Sequence, residues 1–182
     1  MVDQLKAEYK VDVEWRPYYL RPDTPPEGME LPDYILKARA NGADERLQSM
    51  ASLHNMEFVS PPRIYNTRIA HEATEYAREH GKANEFHHAV FQKVYGKGLD
   101  ISQWDILRAA AEEVGLNADD MQAVVDGGKY TAEVAAQVRQ AQEIGVTGVP
   151  TYVINDRYAI VGAQPYQAFK NALAQIMNGK KN

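Results

Sequence analysis

The chain has 182 residues, 45% of them hydrophobic, and a formal net charge of −5, which suits one folded domain or one domain carrying an insert. The mildly acidic balance argues against nucleic acid and anionic membrane as main partners, and no apolar run approaches the roughly 20 residues of a membrane span. Cysteine is absent, so these residues hold no disulfide scaffold, no thiolate metal site and no cysteine nucleophile.

Met1-Val2-Asp3-Gln4-Leu5-Lys6 lacks the apolar block of a signal peptide, and the cytoplasm is the expected location. Lys6-Ala7-Glu8-Tyr9 reads as the tail of a helix. It runs into Val11-Asp12-Val13-Glu14-Trp15, where apolar and acidic residues alternate with period two, the pattern of a half-buried strand ended by Pro17. Pro22, Pro25, Pro26, Gly28 and Pro32 make 21–32 a loop. A helix is expected around Asp44–Asn55, and Ser60-Pro61-Pro62 breaks the chain again. Asn66 suits the N-cap of a helix with Ile69, Ala73, Tyr76 and Ala77 on one face, ended by Gly81. Phe86, Val90 and Val94 form a second stripe that ends near Gly96. Ser102 is expected to cap a third helix through the amide of Asp105, with Ile101 and Ile106 as a hydrophobic staple and Gly115 as terminator. Asn117 caps the next, with Leu116 and Met121 as its staple and Gly127 as its stop. A further helix carries Val134, Val138 and Ala141 and stops at Gly145. Thr151–Ile154 and Tyr158–Val161 are β-rich runs around the turn pair Asn155-Asp156, hence a hairpin. Pro165 opens a last helix with Phe169, Leu173 and Ile176 on its buried face.

The informative stretch is Gly145-Val146-Thr147-Gly148-Val149-Pro150-Thr151-Tyr152-Val153-Ile154. A helix stops at glycine, a short loop follows, and a proline opens a strand, where losing a ladder bond is tolerable. With the helix before it and the hairpin and helix after it, this resembles the thioredoxin-superfamily loop in which a cis proline faces the active-site cysteines. Val13-Glu14-Trp15-Arg16-Pro17 with Leu20-Arg21-Pro22 resembles the second strand and exit loop of cytoplasmic DsbA-like proteins of the FrnE type. Asn66-Thr67-Arg68-Ile69-Ala70-His71 and Glu85-Phe86-His87-His88-Ala89-Val90-Phe91 resemble the helices inserted in that group.

The resemblance implies a thioredoxin-like α/β fold with an all-helical insertion. Residues 1–60 would be the first part of the thioredoxin-like domain, 61–128 the insertion, packed as a cap, and 129–182 the second part. It implies a cis Val149–Pro150 bond, with Gly148, Val149 and Pro150 offering strand-like hydrogen bonds to an extended peptide. The family places a first strand and a Cys-x-x-Cys pair before the position of Met1. That strand and pair are missing from these residues, so no catalytic residue can be assigned and no thiol–disulfide activity is expected of them. An upstream segment, a second copy, or direct pairing of Val11–Trp15 with Thr151–Ile154 would have to fill the resulting gap in the sheet. The partners implied are protein or peptide thiols and disulfides, with glutathione and a homodimer as further candidates, and no cofactor or metal. Two other readings stand beside the oxidoreductase. One is a glutathione-dependent enzyme like the 2-hydroxychromene-2-carboxylate isomerases, which share the fold and use serine where the oxidoreductases use cysteine. The other is a redox-dead peptide-binding module.

Other patterns have plainer readings. His71-Glu72-x-x-Glu75 lacks the second histidine of a zinc-protease helix. His87 and His88, adjacent on a helix, point in different directions and read as one core-edge and one surface histidine. Trp15 and Trp104 read as core or domain-interface anchors, and Glu112-Glu113 and Asp119-Asp120 as helix-surface or N-terminal charges. Arg16 and Arg21 are candidates for binding an anion but read first as solvated charges.

Overall fold

The computed structural model of the chain describes residues 2–179. They fall into two compact units, one made of residues 2–20 with 138–179 and the other of residues 21–137.

The larger unit is helical. Its elements are α2 (Asp33–Ala40), α3 (Ala43–Ser52), α4 (Arg68–Glu79), α5 (Ala83–Phe91), a π-turn (Gln92–Gly96), α6 (Trp104–Glu113) and α7 (Ala118–Asp126), and it takes the start of α8 (Thr131–Glu143). The apolar stripes of α4 to α7 face a common core in which Ala73, Ala77, Phe86, Leu107 and Met121 are fully buried. The small alanines let α4, α5, α6 and α7 approach closely. Main-chain bonds fold residues 21–67 on themselves and tie them to these helices. Met29 and Ile64 exchange amide-to-carbonyl hydrogen bonds of 2.9 and 2.8 Å, and the Val59 amide donates to the Tyr95 carbonyl at 2.6 Å. Gly28 is needed at the first of these: its φ is +76°, and a Cβ there would come within 2.5 Å of the Ile64 carbonyl oxygen.

The stretch 21–32 holds no helix, as expected, and α2 follows directly from Pro32 at its N-cap position. One expectation in this unit needs correction. Ser102 does not cap α6. Its hydroxyl and amide both donate to the Asp100 carboxylate, at 2.6 and 2.9 Å, charge-assisted bonds that hold the side chain in the preceding turn, and Gln103 stands at the N-cap position of α6. Asn117 caps α7 as expected, accepting from the amides of Asp119 and Asp120 at 3.1 Å each.

The smaller unit is α/β. It contains α1 (Val2–Glu8), an extended stretch to Leu20, the end of α8, the strands β1 (Thr151–Ile154) and β2 (Tyr158–Val161), and α9 (Tyr166–Gly179). The strands pair antiparallel with Tyr152 opposite Ile160, and Asn155 and Asp156 turn the chain at φ +51° and +54°, which these two residue types tolerate. Phe169 and Leu173 of α9 and Leu5 of α1 form the core beneath one face of the hairpin. The rings of Tyr152 and Phe169 meet edge to face, 4.7 Å between centroids.

The strand expected at Val11–Trp15 is not a strand. Its burial does alternate, with Val11, Val13 and Trp15 partly buried and Asp12 and Glu14 exposed, but it joins no ladder among the described residues. Direct pairing with Thr151–Ile154 does not occur either, since β1 pairs with β2 alone. Period-two burial fixes which side chains face inward, whereas a ladder needs a partner segment.

Candidate functional site

The stretch Gly148–Val149–Pro150 lies in the smaller unit, between α8 and β1. Helix α8 ends because Gly145 takes φ +82°; the Gly145 amide then donates to Gln142 and the Val146 amide to Ala141, at 3.0 and 2.9 Å, closing the last turn. The chain next runs through Thr147, Gly148 and Val149, and the Val149–Pro150 peptide is cis.

Three hydrogen bonds pin this loop through alternate carbonyl groups. The Tyr18 hydroxyl donates to the Val146 carbonyl at 3.1 Å. The Thr151 hydroxyl donates to the Gly148 carbonyl at 2.7 Å. The Gly162 amide, at the end of β2 and held at φ +82°, donates to the Pro150 carbonyl at 2.8 Å. Between these anchors, neither the amide nor the carbonyl of Val149 meets a backbone partner among the described residues. The Val149 side chain is 54% exposed, and a Cβ placed on Gly148 would find nothing within 4 Å. Residues 146–151 carry no charge. The loop therefore offers unpaired main-chain donors and acceptors beside an apolar side chain and open space, the requirements for adding an extended peptide by main-chain hydrogen bonding.

The other candidates sit elsewhere. Arg16 pairs with Glu14 at 3.0 Å in the smaller unit. Arg21 belongs to the helical unit, where it bonds the Tyr34 hydroxyl and lies over its ring, 5.9 Å from the centroid. Glu72 is buried in a pair with Arg68, and Glu75 in a pair with Arg78. Burial pushes the imidazoles of His71 and His87 down to about 4, with a smaller push on His71 from His87 and on His87 from His88; His88 itself is exposed. Trp104 packs on the helical core and donates to Asp126 at 3.2 Å. Among the described residues, no three His, Asp or Glu side chains converge to hold a metal ion. Sequence reasoning missed Tyr18, Thr151 and Gly162 as anchors. Only Thr151, one residue past the proline, lay close enough to the motif to be suspected.

A glycine-ended helix, a proline-led hairpin and a closing helix beneath it define the carboxyl-terminal part of a thioredoxin-like α/β fold. The chain belongs to the DSBA-like thioredoxin domain family, whose profile matches residues 1–174. It is 30% identical over 174 residues to the uncharacterized protein YwbO of Bacillus subtilis (strain 168), across 93% of this chain and 84% of that protein. A shorter match, 33% identical over 85 residues, relates 47% of this chain to 44% of the 2-hydroxychromene-2-carboxylate isomerase of Sphingobium xenophagum. Two solved structures share the fold. A probable DsbA oxidoreductase from Streptomyces coelicolor superposes with a TM-score of 0.80 at 24% identity, over 90% of this chain and 74% of that one. A 2-hydroxychromene-2-carboxylate isomerase superposes with a TM-score of 0.78 at 20% identity, over 98% and 88%.

Proposed function

We propose that Gly148, Val149 and Pro150 form the polypeptide-binding element of a thiol–disulfide oxidoreductase-type site, whose partners are protein or peptide thiols and disulfides. One observation carries this reading: among the described residues the main chain of Val149 is left unpaired, in a loop otherwise pinned on both sides. An extended peptide laid along it would gain main-chain bonds whatever its sequence, with the exposed Val149 side chain adding apolar contact. The exchange step needs a thiolate nucleophile, and these 182 residues contain no cysteine. The chain as it stands therefore supplies binding and not electron transfer. A cytoplasmic setting belongs to the same proposal and rests on the resemblance to FrnE-type proteins.

The test is fluorescence anisotropy with a labelled, cysteine-free extended peptide. Wild type should bind it, and Val149→Pro, which removes the free amide, should bind about 2- to 10-fold more weakly, the worth of one hydrogen bond. Absence of wild-type binding, or equal binding by the variant, would refute the proposal. The sequence match to an isomerase favours a second reading, a glutathione-dependent isomerase-like site. Saturable binding of glutathione that competes with no peptide would select it.

A further inference from the structure

We propose that Tyr18 is a positioning residue for the loop that carries Val149, and that its hydroxyl sets the fraction of molecules ready to bind a peptide. This rests on the peptide-binding reading of Gly148–Pro150. Tyr18 lies 128 positions from Val146 in the chain, yet its hydroxyl donates to the Val146 carbonyl at 3.1 Å. The preceding Pro17 is buried and Tyr18 is partly buried, so the ring enters from a backbone whose φ is already restricted.

Val146 is the last residue that α8 holds. Its amide is taken by the Ala141 carbonyl, and its carbonyl is the acceptor that Tyr18 reaches. At the far end Gly148 is held by the Thr151 hydroxyl and Pro150 by the Gly162 amide, both local to the hairpin. The span Thr147–Val149 thus has hairpin anchors on one side. On its α8 side, among the described residues, the Tyr18 hydroxyl is the one side-chain anchor. A loop that samples several conformations binds in proportion to the fraction in the competent one. Removing the α8-side anchor should lower that fraction while the ring keeps its packing.

The experiment is Tyr18→Phe in the full chain, read by amide hydrogen exchange without peptide and by titration with the cysteine-free peptide. Tyr158→Phe, an exposed tyrosine of the hairpin, serves as control. Exchange at Val146 and Gly162, whose amides carry the hydrogen bonds to Ala141 and Pro150 at the two ends of the loop, should quicken about 2- to 10-fold in Tyr18→Phe, and peptide affinity should fall by a similar factor. The amides of β1 and α9 should keep their rates, and the control should match wild type in both measurements. Unchanged loop exchange overturns the positioning role. So does quickening spread evenly through β1 and α9, which marks a general packing contribution, and so does quickened loop exchange with undiminished affinity. A wild-type chain that binds no peptide refutes the peptide reading and, with it, the link to binding. The exchange data then still decide whether Tyr18 holds the loop.

Discussion

Glu72 shows what a buried charge demands. It is 1% exposed, and its carboxylate accepts Arg68 Nη1 at 3.0 and 3.1 Å and the Thr131 hydroxyl at 3.2 Å. Read as a sequence, His71-Glu72-x-x-Glu75 half-mimics a metal helix; in the structure both glutamates are clamped by arginines of α4 itself. Glu72→Ala should destabilise the fold by about 1–3 kcal/mol, below the loss from breaking a fully buried pair because Arg68 reaches water. The urea midpoint measures it. The neighbouring imidazoles make stability depend on acidity. His71 and His87 are held at about 4 against an ordinary 6.5, so the unfolded chain takes up protons that the folded chain refuses. Their penalty is absent above pH 6.5 and grows as pH falls from 6.5 towards 4. The double variant His71→Gln, His87→Gln should lose less stability than wild type between pH 7 and pH 4.5, as read by denaturation midpoints.

Among the helices, what could be read in advance was what is local. The Asn117 cap and its staple, Leu116 with Met121, are separated by five residues at most, and the structure contains the cap and buries both apolar partners. Asn117→Ala should therefore cost about 1 kcal/mol. Ser102→Ala should cost less in the same thermal melt, since its hydroxyl bonds Asp100 and caps nothing. The sequence pattern of Ser102 was as good as that of Asn117, and the difference lies in the Asp100 carboxylate two residues away, which holds the Ser102 hydroxyl as a donor in the preceding turn. Val11–Trp15 failed for a different reason. Its alternation was legible and its facing followed, but ladder formation depends on a segment distant in sequence.

For the molecule as a whole, the hairpin and the helical block could be read from periodicity and glycine punctuation, and the α/β class with its helical insertion from the family resemblance. The grouping of residues 21–60 with the helices could not. It rests on the Val59–Tyr95 bond, which links positions with no pattern of their own. The candidate site divides the same way. Gly148, Val149 and Pro150 announce themselves by local grammar, while the tyrosine that steadies them stands at the other end of the chain. The composition adds one further expectation. A dithiol cycle passes electrons through a mixed disulfide, and a chain with zero cysteines should leave insulin reduction by dithiothreitol at the uncatalysed rate, followed by turbidity.

The π-turn at Gln92–Gly96 has a consequence for insertions and deletions. Phe86, Val90 and Val94 are all buried although they are spaced by four, a period that an α-helix of 3.6 residues per turn would smear around its surface. The wider turn absorbs the surplus and keeps Val94 inward. Dropping the exposed Gln92 would leave Val94 seven positions after Phe86, about two turns of ordinary α-helix, and so facing the same way. The shortened protein should fold with its core intact and show a continuous α-helix through this region. Deleting Ala89, ahead of the turn and inside the core, should instead rotate Val90 out of its place and sharply lower the melting temperature.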